Sequence, residues 1–177
     1  MVSRVAFSGE NVDITAHAFQ HTDMEKALRL YFSPSSPLYL TRFAGDTVAE
    51  VTEMMQERLD ELDRSSALTV LGATEAAFRI DYLTRCYEKQ KDDLSRAFRE
   101  IHKEKGSKAS LDRDIFDAWQ VHEPAHKATI SALKGAFNFR HWLAHGRYWD
   151  PKLGRKYDYI TCYGLAAAAL STLPFVE

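Results

Sequence analysis

The sequence predicts an all-α fold, a single-domain antiparallel bundle of about five to seven helices. Apolar residues recur at three- and four-residue intervals with charges between them, the spacing of one helix face. Clusters of proline, glycine and serine punctuate these stretches, and the alternating β-branched and aromatic runs that mark strands are almost absent. At 177 residues and 20.2 kDa the chain can bury one sizeable core but is short for two, so one domain over 1–177 is expected.

Residues 1–22 read as an irregular N-terminal segment. Over 23–32, Met24, Leu28 and Tyr31 share a face, and Thr22 or Asp23 can accept the first free amides of a short helix. Ser33-Pro34-Ser35-Ser36-Pro37 then forms a loop, because each proline lacks an amide donor and holds its predecessor extended. Asp46 or Thr47 caps a long stretch carrying Val48, Val51, Met54 or Met55, Leu59 and Leu62, which ends near Asp63. Ser65 and Ser66 open a second, through Leu71, Phe78, Tyr82 and Cys86 to about Lys91, and the pair reads as a helical hairpin. Over 92–108, Leu94, Phe98 and Ile101 give a thin apolar stripe that Gly106 stops. A short helix follows over 110–119, and Pro124, suited to a first helical position, starts the run through Phe139. Asp150-Pro151 and Gly154 make a turn before a last helix over 157–172.

A formal charge of −2 excludes a polycation that coats nucleic acid without discrimination. The charge is uneven, however. Arg140, Arg147, Lys152, Arg155 and Lys156 face only Asp150 in the segment between Arg140 and Lys156, a local charge of +4. That basic stretch could serve a polyanion, or be a solvated loop. Cys86 and Cys162 are the only cysteines and lie far apart, which argues against a disulfide framework or a thiolate zinc site and fits a reducing, cytoplasmic compartment. The first 20 residues carry Arg4, Glu10, Asp13 and His17 and do not read as a secretory signal. The apolar stretch 160–176 is interrupted by Thr161, Ser171, Thr172 and Pro174 and is too short for a bilayer, so it reads as a buried or dimer-facing helix.

The most informative stretch is Arg140-His141-Trp142-Leu143-Ala144-His145-Gly146-Arg147-Tyr148-Trp149. A guanidinium is a permanent positive fork that fits phosphate oxygens, and an imidazole exchanges protons near neutral pH. The stretch resembles the motif of the HEPN family (higher eukaryotes and prokaryotes nucleotide-binding): arginine, a polar residue, about three more, then histidine. Arg140, His141 and His145 match those positions, and Gly146 and Tyr148 also look like the family. The resemblance implies a small helical protein that dimerises and cleaves RNA without metal or cofactor, often as a toxin beside an antitoxin. RNA supplies its own nucleophile, the 2′-hydroxyl. A ribonuclease therefore needs a proton acceptor, a proton donor and a clamp for the phosphorane. His145 reads as general acid/base, Arg140 as the clamp, and His141 as orienting a partner or sharing the proton transfers.

On a continuous helix five residues subtend about 500°, which sets Arg140 and His145 about 140° apart. A helix break near Gly146 would turn His145 back. The resemblance offers a second solution, a homodimer whose two motifs line one composite cleft. It also implies an acidic residue on an earlier helix; Glu75 is the first candidate, with Asp81 behind it, to hydrogen-bond His145. Glu75 and Arg79, four apart, otherwise read as a surface ion pair. Arg147 and Tyr148 are supporting candidates, and Lys152, Arg155 and Lys156 are candidate RNA contacts.

His122-Glu123-Pro124-Ala125-His126 formally matches the zinc-protease pattern His-Glu-x-x-His. Pro124 breaks the helix that would align both histidines, and no third ligand follows, so no metal is expected. His17 and His21 read as surface or capping residues. Two other classes remain open: a non-catalytic HEPN module that binds a nucleotide or an antitoxin, and a helical scaffold in which the motif caps a helix and stacks on its aromatic neighbours.

Overall fold

The computed structural model describes residues 4–176 and is all-helical, with no strand among them. Seven α-helices follow in order: α1 (Ile14–Tyr31), α2 (Tyr39–Arg42), α3 (Val48–Tyr87), α4 (Asp93–Lys105), α5 (Asp117–His122), α6 (Lys127–Ala144) and α7 (Tyr159–Thr172). A π-helical turn, Leu111–Phe116, leads into α5, and a 3-10 turn, Pro124–His126, leads into α6.

Two expectations are corrected by local chemistry. The irregular segment ends at Asp13 rather than at residue 22, because the Asp13 carboxylate caps α1 by accepting from the N–H groups of Thr15 and Ala16. The hairpin expected around residue 64 is one helix of 40 residues, about 60 Å long at 1.5 Å per residue. Ser65 does not open a new helix; its hydroxyl donates back to the Leu62 carbonyl at 2.9 Å, and no glycine or proline interrupts the turn. Thr47 and Glu50 start α3 with a reciprocal capping box, the Glu50 carboxylate accepting the Thr47 N–H at 2.7 Å.

The other elements pack along α3. Helix α1 runs antiparallel to its first half: Ile14 clusters with Val70, and His21 meets Asp63. Helix α7 runs in the same direction as α3, and α6 runs against them. Phe78 of α3 meets Phe116, Trp119 and Phe175 edge-on at 4.8, 5.9 and 5.0 Å, in a core that also buries Tyr82, Phe98, Ile130 and Leu133. A second cluster sets Ala67 and Leu71 of α3 against Ala136 and Phe139 of α6 and Tyr157. Gly135 lets α6 approach Tyr157: a Cβ there would lie 2.1 Å from the phenol oxygen. Cys86 and Cys162 are buried free thiols, and burial pushes each to about 12. No helix among the described residues is long and apolar enough to cross a membrane.

Candidate active site

Helix α6 carries the motif to its C-terminal end. The helix stops at Ala144, His145 is its C-cap, and the next two residues turn left-handed, Gly146 at φ +79° and Arg147 at φ +60°. The Gly146 N–H donates to Leu143 at 3.3 Å and the Arg147 N–H to Trp142 at 3.1 Å, which together form a Schellman cap. Glycine serves the first left-handed position without steric cost. The non-glycine second position is held by the two Arg147 hydrogen bonds to the Glu61 carboxylate, at 2.6 and 3.3 Å. Those same bonds, from Arg147 first, hold the Glu61 carboxyl below its usual pKa. The Trp142 indole N–H closes the turn on the Trp149 carbonyl at 2.7 Å. The break near Gly146 is therefore real, but Arg147 ties the turn to α3 and is not free for a ligand.

Arg140 faces α3. Its guanidinium lies 3.0 Å from Glu75, and the Glu75 carboxylate also accepts from Arg79 at 2.7 Å. Glu75 therefore reaches the motif from the earlier helix but pairs with the arginine, not with His145. The Glu75 side chain is 16% exposed and that of Arg140 34%. The approach is a charge contact without aligned hydrogen-bond geometry, and the Arg140 Nε is buried with no partner. Asp81 lies elsewhere. It accepts from Arg85 and from the Val176 N–H, both at 2.8 Å, and desolvation by burial raises its pKa despite those bonds. It braces the core and the C-terminal segment rather than the motif.

Arg140 and His141 open together onto a cleft of about 340 Å³, lined also by Glu75, Ser110, Asp112, Lys134 and Asn138. Periodicity did not single out Lys134, Asn138 or Ser110 as site residues. The π-helical turn brings Ser110 and Asp112 there, and Lys134 and Asn138 lie on the α6 face that includes His141. Burial pulls the Lys134 ammonium down, but its hydrogen bonds to Asp117 and Asp112 outweigh this and leave its pKa raised. Arg140 and His145 form no hydrogen bond to each other. His141 connects them in space: it lines the Arg140 cleft, and its ring centroid is 4.2 Å from that of His145, both rings being solvent-exposed. Trp149 backs the pair at 5.8 Å from His141 and 6.4 Å from His145.

The basic loop does not converge on this cleft. Lys152 is exposed, the Arg155 guanidinium stacks 4.7 Å over the Tyr157 ring, and Lys156 lines a separate cleft with Asp63, Trp142 and Asp158. Of the α1 histidines expected at the surface or as caps, His17 is half-buried and His21 lies inside. His21 is buried, meets Asp63 at 2.9 Å and stacks on Tyr159 at 3.9 Å; burial first, then His21, lowers the pKa of His17. At Glu123 the backbone leaves the helix, at φ −125° and ψ 65°, so His122 ends α5 while His126 caps α6. No cluster of potential metal ligands occurs among the described residues.

Comparison of the chain with protein-family models, with curated proteins and with solved structures returned no match.

Proposed function

We propose that the protein is a metal-independent endoribonuclease of the HEPN type, acting as a toxin or defence effector. The observation that carries this reading is the grouping of a cleft-lining arginine with two adjacent imidazoles, His141 and His145, 4.2 Å apart. One imidazole takes the 2′-hydroxyl proton as that oxygen attacks phosphorus. The P–O5′ bond breaks, and an imidazolium returns a proton to the leaving oxygen, yielding a 2′,3′-cyclic phosphate and a 5′-hydroxyl. Each such proton transfer is worth about 10²–10⁴-fold in rate. Arg140 neutralises the phosphorane oxygens, and Glu75 holds its guanidinium at the mouth of the cleft.

On this reading the partners are RNA, a second copy of the chain and an antitoxin protein. Pairing about a twofold axis would bring both motifs to one cleft and shorten the path from Arg140 to His145. The test is incubation of the purified protein with RNA in excess EDTA, with mass spectrometry of the fragment ends. Cyclic-phosphate ends that appear with the parent and disappear with Arg140→Ala and His145→Ala support the reading. Cleavage that survives in both folded variants overturns it. The Glu75 carboxylate on Arg140 favours one second reading, a non-catalytic module in which that arginine exchanges Glu75 for a nucleotide phosphate. Tight nucleotide binding lost in Arg140→Ala, without RNA cleavage by the parent, would select it.

A further inference from the structure

The turn after α6 holds one large side chain away from the protein. Tyr148 is 83% exposed, yet its backbone is fixed on both sides. Before it stand the Schellman cap and the Arg147–Glu61 pair, and after it the Trp149 carbonyl accepts from the Trp142 indole. Its ring meets Trp149 edge-on at 4.7 Å, and Trp149 in turn neighbours His141 and His145. Tyr148 covers no core. A solvated aromatic face on a fixed backbone, one ring removed from two imidazoles through Trp149, is suited to receive another flat ring.

The geometry points to Tyr148 as a stacking platform for a nucleobase flanking the scissile phosphate. Such a platform takes a base that is unpaired where the strand is cut. This assignment rests on the ribonuclease reading and adds a base-binding residue to it. In a duplex the base faces are already stacked on one another and unavailable, whereas an unpaired base can swing onto an aromatic side chain. Every base has a π face, so the platform selects for unpaired structure with little regard to sequence.

The test uses the full chain and a short oligonucleotide carrying 2-aminopurine, with 2′-deoxyriboses throughout so that no nucleophile is present and nothing is cut. Stacking on Tyr148 quenches the 2-aminopurine emission. Tyr148→Ala is expected to abolish the quench and weaken binding about 5- to 150-fold, as alanine replacement at base-stacking aromatics does. Tyr148→Phe and Tyr148→Trp should keep both, and the same strand in a duplex should bind more weakly than alone. With cleavable RNA, Tyr148→Ala should raise KM more than it lowers kcat.

Parent-like binding and quenching by Tyr148→Ala would overturn the platform, even while the parent cleaves RNA. A Tyr148→Ala protein that keeps oligonucleotide binding but loses a parental dimer would overturn it too, and mark Tyr148 as a contact between copies. Tyrosine-dependent quenching by a parent that never cleaves RNA would support the platform and remove the ribonuclease reading.

Discussion

The link between Glu75 and Arg140 joins the long central helix to the motif, and its strength follows from the geometry. At 3.0 Å and an effective dielectric constant of about 20, Coulomb attraction is about 5.5 kcal/mol. Dehydration of both groups, the one-third exposure of the guanidinium and the unaligned approach offset most of this. A net coupling of about 1–2 kcal/mol remains, between the values for exposed and buried pairs. The measurement is a double-mutant cycle in urea denaturation with the parent, Glu75→Gln, Arg140→Met and the double variant. Glu75 also binds Arg79, so the Glu75→Gln loss alone exceeds the coupling, and the cycle removes that excess. In the cleavage assay, Glu75→Gln leaves Arg140 free to drift and should lower kcat by on the order of tenfold or more, since a displacement of 1 Å can cost about 10²-fold. Coupling within the additivity error of about 0.3–0.5 kcal/mol would refute the argument.

Three further outcomes follow from packing away from the cleft. Arg85 is 6% exposed and binds Asp81, Asp92, Ser95 and the Pro174 carbonyl, so Arg85→Met should cost about 3–5 kcal/mol by stranding the buried Asp81, and Asp81→Asn in the same chain should recover part of it, both read from urea midpoints. Gly135→Ala would force Tyr157 off α6 and should destabilise by about 1–3 kcal/mol, seen as a lower thermal midpoint. Asp158→Ala removes the α7 cap and should cost about 1 kcal/mol at neutral pH. Hydrogen bonds from the Thr161 side chain and N–H hold the Asp158 carboxyl below its ordinary 3.8, so that contribution is complete above this value and disappears as pH falls through the lower folded one. The parent and Asp158→Ala stability curves should therefore converge in acid.

The helical class, most helix boundaries after residue 90 and the α6 break at Gly146 were legible because period, proline and glycine act locally. The unbroken α3 was not. Ser65 resembles a capping residue in sequence, and only its back-bond to Leu62 inside a packed helix reveals otherwise. Asp13 was a readable cap for α1, but the polar face around His17 and His21 concealed the helix, whose buried histidine is matched by a residue 42 positions away. In the cleft, Arg140 and His141 stand in the motif itself and Glu75 came from the resemblance, as a partner for His145, whereas the partner each charge takes was not legible. Glu75 took Arg140 and Glu61 took Arg147, pairings set by helix packing that spacing along the chain does not encode. The π turn that brings Ser110 and Asp112 to the cleft likewise has no clear periodic signature.

Joint action of Arg140, His141 and His145 on one ribose-phosphate linkage is read from single-turnover cleavage of a defined RNA in EDTA. Parent cleavage undiminished by the chelator is expected, with a loss of about 10²-fold or more for His145→Ala and Arg140→Ala. Equal rates for the folded variants and the parent, or a parent rate that vanishes only when metal is removed, would contradict it.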